Sequence, residues 1–398
     1  MVNASLSEEL ALHEARGLKR ERRVLASPQG ARVTVDGREY VAYCSNDYLG
    51  LAAHPAVVAA AREGADRYGV GAGASHLVLG HGAAHQALEE RLAAFVELPR
   101  ALLFSSGYLA NIGIVTALAG RGDAVFADRL NHASLNDAAL LARADFKRYP
   151  HLDLDALARL LAASRGRRKL IVTDAVFSMD GDIAPVPDLL ALAERHDAWL
   201  LLDDAHGFGV IGSSGRGTLS HFGARSPRIV YMATLGKAAG VFGAFAAGAP
   251  EVVETLVQRA RPYMYTTAAP PLLAVALSKS LDLVENEEWR RERLRSLVAS
   301  LRERLKPRRW RLAPSQTAIQ PLVVGPSAEA VAVSAALARE GLLVPAIRPP
   351  TVPQGTARLR ISLSAAHELA DVERLAAALN DVEKQIEPPG HGDRQEKQ

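Results

Sequence analysis

The stretch WLLLDDAHGFGV, residues 199–210, sets the fold and poses the chemical question. Its apolar half has the length of a short buried strand, and it ends abruptly in Asp203, Asp204, His206 and two glycines. A carboxylate buried without a partner is costly, so an acid at the end of such a strand meets a cation, a ligand or water. Similar runs recur on both sides: ALLF (101–104), AVFAD (124–128), LIVTDA (170–175), RIVYMAT (228–234) and AFAAG (244–248). Most are separated by segments of helical spacing such as PDLLALAERHD (187–197). Short buried strands alternating with helices imply an α/β domain with a mostly parallel sheet covered on both faces. In such a doubly wound sheet the ligand sits at the carboxyl ends of the strands, where Asp203 and His206 fall.

Further out, SEELALHEARGLKRERRVL (7–25) reads as a charged amphipathic helix, followed by a hairpin turning at Asp36-Gly37. From about residue 280, EEWRRERLRSLVASLRERL (287–305) and later helices flank the strand candidates QPLVV (320–324) and ARLRIS (357–362), which suggests a smaller α+β domain. The expected division is an N-terminal helix and hairpin segment (1–44), a large α/β domain (45–280), a small C-terminal α+β domain (281–385) and a disordered tail (386–398). The tail sequence EPPGHGDRQEKQ offers almost nothing to bury.

Composition narrows the function classes. The chain has 398 residues, long enough for a large core and a smaller one, and a formal net charge of only +3, so nothing calls for a nucleic acid or an anionic membrane as partner. Cys44 is the single cysteine, which excludes an internal disulfide framework and a multi-thiolate metal site and fits a reducing compartment. The first residues lack the cationic start and apolar core of a signal peptide, and no apolar stretch is long and charge-free enough to span a bilayer. A cytoplasmic location is the expectation.

Four features carry chemistry. Asp203 and His206, three apart where a strand becomes a loop, can point different polar heads at one flat ligand; the plainer alternative is a loop acid facing water. Lys237, in YMATLGKAAGVFGAFAAG (231–248), is surrounded by small and apolar residues, so desolvation disfavours its ammonium form and suits it to Schiff-base chemistry. A lysine snorkelling from a strand end reads equally well. Thr234, just before it, can bond an anion. Ser105, Ser106 and Gly107 end one strand and open an apolar helix, which makes either a phosphate seat or an ordinary serine cap. The glycine-rich YGVGAGASHLVLGHG (68–82) is either a flexible loop or backbone that approaches a ligand closely. His132, in DRLNHASLNDA (128–138), can reach the same mouth or be an ordinary structural histidine. A phosphate seat, a carboxylate for a ring nitrogen, histidine neighbours and a reactive lysine are together the requirements of pyridoxal phosphate.

At this point the residues match a known family. FSSGYLAN (104–111), NHASL (131–135), VTDAVFSMDGDIAPVPDL (172–189), LLDDAHGFGVIGSSGRG (201–217), TLGKAAGVFGA (234–244) and YTTAAPP (265–271) resemble, in order and spacing, the α-oxoamine synthases, a branch of fold-type I pyridoxal-phosphate enzymes. The likeness runs from SNDYLGL (45–51) to SAAH (364–367). It implies a large, mostly parallel seven-stranded sheet domain with a smaller C-terminal α+β domain. It also implies a homodimer with shared active sites, and a decarboxylative condensation of an amino acid with an acyl thioester.

Position by position, the resemblance makes Lys237 the Schiff-base lysine, Asp203 the partner of the pyridine nitrogen and His132 the residue stacked on the ring. His206 and Ser178 fall on the phenolic oxygen side; Ser106, Gly107, Tyr108 and Thr234 fall on the phosphate side. Thr267, next to Thr266, matches the threonine lent by the other subunit. Asn46 and Arg360 match positions near the substrate carboxylate, which an arginine can hold through a two-pronged hydrogen bond. Within the family, AIRPPTVPQGTARLRISLSAAH (346–367), with Arg348 and Thr351, is similar to the branch that joins L-alanine to a pimeloyl thioester in biotin biosynthesis. The glycine-using ligases, such as glycine C-acetyltransferase, are the alternative and carry a PVVP form there. Arg20, in GLKRERRVL (17–25), matches a substrate-side arginine. The pimeloyl group would arrive on coenzyme A or on an acyl carrier protein. The rival chemistry is a Ser-His-Asp hydrolase built from Ser106 or Ser178 with His206 and Asp203; it lacks a G-x-S-x-G elbow and leaves the lysine without a purpose. A binding protein without activity has no need of both Lys237 and Asp203.

Overall fold

The structure is a computed structural model that describes residues 5–15, 19–20 and 22–386. Two strands come first, β1 (Arg32–Val35) and β2 (Arg38–Ala42), a hairpin whose turn is Asp36-Gly37, both with positive φ. Paired positive φ values suit the right-handed twist of the flanking strands. Seven strands follow: β3 (Arg100–Phe104), β4 (Ala124–Asp128), β5 (Asp145–Tyr149), β6 (Lys169–Asp174), β7 (Ala198–Asp203), β8 (Ile229–Thr234) and β9 (Ala244–Gly248). They form one sheet in the order β3-β9-β8-β7-β6-β4-β5, in which only β9 runs against its neighbours. All six apolar runs are strands of this sheet. The seventh, β5, has the sequence DFKRY and lies at the edge, where only Tyr149 is buried, so it carries no apolar run to betray it.

Packing explains the order. Leu200, Leu201 and Leu202 of the central strand β7 are fully buried, pointing alternately into the two core clusters on either face of the sheet. Each such leucine contributes about 1.5–3 kcal/mol relative to leaving it in water. Register places Asp174 beside Asp203 and Asp203 beside Met232, so the acidic ends of β6 and β7 finish level with each other at one edge.

The chain then supplies β10 (Arg311–Leu312), β11 (Ile319–Gly325), β12 (Leu342–Leu343), β13 (Ala346–Ile347) and β14 (Ala357–Ser362). A four-stranded antiparallel sheet, β10-β11-β14-β13, is flanked by the helices Ser327–Arg339 and Leu369–Gln385. Strand β12 leaves this group and pairs in parallel with β2, so the early hairpin is held by a late segment. The N-terminal helix covers Leu6–Ala15 with every residue exposed. The helical reading through Leu25 does not hold: Leu25 bridges Val35 antiparallel to the hairpin, because the β1 edge offers it unpaired backbone groups. The expected tail lies, from Glu387 on, outside the described residues.

Candidate active site

The carboxyl ends of β4, β6, β7 and β8 open on one cavity of about 180 Å³. The helix after β3 contributes Gly107 and Tyr108, the loop after β4 contributes His132, and the loop after β6 contributes Ser178. Asp203 and His206 come from the end of β7, Thr234 and Lys237 from the end of β8. Local sequence explains this convergence. Ser106 caps the helix Gly107–Leu118, its Oγ accepting the Leu109 N–H at 3.3 Å, so the remaining amides of the first turn face the cavity end of that helix. The turn HGFG brings the β7 loop onto the lysine loop: Gly209 has φ +81°, and a Cβ there would stand 2.8 Å from the Ala238 Cβ.

Asp203 is buried and held from two sides. Its Oδ2 accepts from Asn111 Nδ2 at 2.7 Å and its Oδ1 from the Ala205 N–H at 3.0 Å. Asp174, beside it, accepts the His132 N–H at 3.0 Å; burial and the Asp203 charge push its carboxyl well above the usual range. Lys237 Nζ lies 2.8 Å from His206 Nε2. Burial lowers the lysine to about 8, against the opposing pull of Asp203 and Asp174 and with a further push from Arg360. His206 is held well below the usual imidazole range by burial and by the nearby Lys237 and Arg360 charges, and His132 is lowered by burial. Asp204, paired with Asp203 in the sequence, does something else. Its Oδ2 accepts from the Thr218 N–H at 2.7 Å and the Tyr231 hydroxyl at 2.8 Å, which ties down the 204–218 loop. Burial pushes it up to about 7.

Residues 38–379 match the family model described as aminotransferase class I and II. The chain is 64% identical over 386 residues to the 8-amino-7-oxononanoate synthase of Nitrosospira multiformis, covering 97% of this chain and 98% of that one. The chain belongs to this aminotransferase family and, within it, to the 8-amino-7-oxononanoate synthases. Among solved structures, the serine palmitoyltransferase of Sphingomonas wittichii superposes with a TM-score of 0.88 at 30% identity, covering 96% of each chain. An SPT solved with PLP gives the same TM-score at 28% identity, covering 96% of this chain and 97% of that one. The seven-stranded sheet and the small C-terminal sheet are therefore those of fold-type I.

For a member of the 8-amino-7-oxononanoate synthase family, the expected residues are distributed as follows. Gly107, Tyr108, His132, Ser178, Asp203, His206, Thr234 and Lys237 meet in the one cavity. Ser106 stands just behind it as the helix cap. Arg360 reaches it through Ser178: Nε donates to the Ser178 carbonyl at 2.6 Å, and Nη1 donates to Asn46 Oδ1 at 3.2 Å and Ser362 Oγ at 2.8 Å. Arg20, Arg348 and Thr351 do not line this cavity. They meet instead in an open basin of about 890 Å³ beside the N-terminal helix, with Lys19 and His13. One wall of that basin is β13, which pairs with the strand carrying Arg360. Thr267 is exposed and bridges Ser75 of its own chain, away from the cavity.

The donor set fits pyridoxal phosphate. Helix amides with Thr234 suit the phosphate, Asp203 suits a protonated ring nitrogen, His206 and Ser178 suit the phenolic oxygen, and Lys237 suits the aldehyde. The relay from Ser106 or Ser178 through His206 to Asp203 does not form, since His206 bonds Tyr48 (2.7 Å) and Lys237 rather than either serine. Sequence reasoning missed Asn111, Asp174 and Tyr48 as parts of the site. Asn111, Asp174 and Tyr48 all lie inside quoted motifs, FSSGYLAN, VTDAVFSMDGDIAPVPDL and SNDYLGL, and a polar residue inside an otherwise apolar helix start was the available signal for Asn111.

Proposed function

We propose that this chain condenses L-alanine with a pimeloyl thioester, releasing carbon dioxide and the free thiol carrier and giving 8-amino-7-oxononanoate, the step that serves biotin biosynthesis. The observation that carries this reading is the meeting of the Lys237 amine and the Asp203 carboxylate in one small cavity behind a helix N-terminus. When bound, pyridoxal phosphate supplies an aldehyde for amines and a ring that withdraws electrons from the α-carbon. Asp203, kept in place by Asn111, would hold a proton on the ring nitrogen. His132, its backbone pinned by Asp174, would cover the face of the ring. Lys237, lowered to about 8, has a useful fraction of free amine near neutral pH and removes the α-proton of alanine. Arg360 and Asn46 orient the amino acid by its carboxylate. Arg20, Arg348 and Thr351, in the basic basin, receive the acyl chain and its distal carboxylate, whether the carrier is coenzyme A or an acyl carrier protein.

A homodimer in the cytoplasm completes the reading. Val70, Val78, Leu79 and Tyr265 are each more than two-thirds exposed around the Ser75–Thr267 bridge, an apolar face suited to a second copy. Thr267 then reaches the partner's phosphate seat. Among the described residues no helix is long and apolar enough to cross a membrane.

The test is reconstitution followed by substrate comparison. The protein should take up pyridoxal phosphate, borohydride should fix it to Lys237, and sedimentation should give a dimer. With pimeloyl, acetyl and palmitoyl thioesters offered against L-alanine, glycine and L-serine, the pimeloyl–alanine pair should turn over fastest. Preference for glycine with an acetyl thioester would replace this assignment by that of a glycine C-acetyltransferase.

A further inference from the structure

The segment that carries Ser178 is a short hairpin set between the two sheets. Val176 bridges Ile183, the Phe177 N–H donates to the Asp182 carbonyl at 3.0 Å, and the Ala184 N–H donates to the Ala175 carbonyl at 2.9 Å. Its tip is gripped from the small sheet. The Ser178 carbonyl accepts from Arg360 Nε at 2.6 Å, the Met179 carbonyl from Arg358 Nη1 at 3.1 Å, and the Gly181 carbonyl from Ser315 Oγ at 2.8 Å. The approach is close: Gly181 has φ +71°, and a Cβ there would stand 2.5 Å from the Ile319 carbonyl oxygen. On the other side His151, just past the end of β5, ties the hairpin to the large sheet. Its Nε2 lies 2.7 Å from Asp182 Oδ2, and its Nδ1 lies 3.0 Å from Oδ1 of Asp128, the last residue of β4. We propose that His151 is a positioning residue for the amino-acid substrate: by clamping the hairpin to the ends of β4 and β5 it fixes the Ser178 carbonyl, and through that carbonyl the place where Arg360 meets the substrate carboxylate.

The partners set the direction of both contacts. An ionised carboxylate only accepts, so a ring that faces one at each nitrogen carries a hydrogen on both and is an imidazolium. Asp128 is fully buried, and its two oxygens also accept the Leu130 N–H at 2.8 Å and the Leu152 N–H at 2.9 Å, as an ionised group does. Burial alone would lower His151, but the bonds to Asp128 and Asp182 outweigh it and push it up to about 10. The Phe177 ring meets the imidazole edge-on, 4.5 Å between centroids, so the hairpin is packed against the clamp as well as bonded to it. Arg360 depends on the same hairpin. Its Nε is placed by the Ser178 carbonyl, and its two Nη atoms by Asn46, Ser362 and Tyr48. With the Nε bond loosened the guanidinium can pivot about its Nη contacts, which tilts the plane that a two-pronged hold on a carboxylate requires.

The inference rests on Arg360 holding the substrate carboxylate in the proposed function, and its test separates the two. In the holoenzyme, L-alanine and L-alaninamide, which lacks the carboxylate, are titrated against the visible absorbance of bound pyridoxal phosphate. His151→Ala should raise the Kd for L-alanine about tenfold, and leave the Kd for L-alaninamide and the KM for the pimeloyl thioester within about twofold. In an Arg360→Lys background the same substitution should add nothing for L-alanine. Hydrogen exchange read by mass spectrometry, with and without the cofactor, should find the amides of residues 175–184 opening about tenfold faster in His151→Ala while those of β7 keep their rate. Asp182→Ala cuts the clamp from the hairpin side and leaves the His151–Asp128 pair in place; it should repeat these results, and the double variant should be no worse than either single one. An unmoved Kd for L-alanine, equal weakening of L-alanine and L-alaninamide, an effect that persists in Arg360→Lys, or unchanged exchange in the hairpin overturns the proposal. If Arg360→Lys alone binds L-alanine as tightly as the unaltered chain, the carboxylate reading of Arg360 fails, and the role of His151 falls with it. If His151→Ala does not fold by circular dichroism, Asp182→Ala decides alone by the same comparisons.

Discussion

At the mouth of the large sheet the charged groups are fixed by short, specific bonds: Asp203 by Asn111 and Ala205, Asp174 by His132, Lys237 by His206. The basin beside the Leu6–Ala15 helix is built differently. It is several times larger, and its basic side chains, His13, Lys19, Arg20 and Arg348, stand on an exposed helix, the segment after it and the loop after β13. The first region suits charge pre-organised around one small ring, where displacement by a fraction of an ångström would matter. In the proposed function the second would attract a long, anionic acyl chain through charge spread over a broad surface, which tolerates movement. Substitutions should therefore act on different steps in the two regions.

Lys237→Ala is expected to have the largest effect. Steady-state condensation of L-alanine with a pimeloyl thioester should fall roughly 10⁴-fold or beyond, and a variant keeping ordinary turnover would remove the lysine from the chemistry. Asp203→Asn should bind the cofactor yet slow exchange of the alanine α-proton by roughly 10²–10³-fold, as read by deuterium incorporation. Asn111→Ala, which frees one side of that carboxylate, should cost about ten- to a hundredfold in the same exchange. If the two regions are independent, Arg348→Ala should leave alanine proton exchange unchanged. It should raise the KM for the pimeloyl thioester about tenfold, by an amount that shrinks as salt is added. Equal loss of both would dissolve the distinction.

The smallest expected effect concerns Asp204. Its ordinary value is 3.8 and burial raises it to about 7 in the folded protein. Between these values the unfolded chain has lost the proton and the folded chain still holds it, so this group makes stability fall as pH rises from about 4 to 7 and adds no slope above that. Asp204→Asn should flatten that segment of the melting-temperature profile while leaving the acceptor for the Thr218 N–H in place. A slope that persists unchanged would assign it to another buried acid such as Glu89, which is also raised to about 7.

The large sheet was legible because six of its strands are buried on both faces and so write themselves as apolar runs; β5, at the edge and mostly polar, does not. Lys237, Asp203, His206 and His132 were legible because each closes a strand or opens the loop after one, where a polar residue stands out against its apolar neighbours. Asp174 closes a strand as well, yet its part in the site comes from register, the β6–β7 pairing that sets it beside Asp203, which a linear reading does not display. Asn111 reads as one more residue of a helix, and Tyr48 as one more core aromatic, until the fold brings them to Asp203 and His206. Asp204 shows the converse: adjacent to Asp203 and of the same residue type, it faces the other way, because successive residues at the end of a strand point to opposite sides.

The pairing of β2 with β12 bears on how the polypeptide is made. Val41 and Ala42 emerge from the ribosome early, but their partners, Leu342 and Leu343, emerge only when synthesis is nearly finished. The hairpin must wait with one side of β2 unsatisfied while the large sheet forms, and nascent chains halted before residue 340 should leave it open to proteases that spare the completed protein.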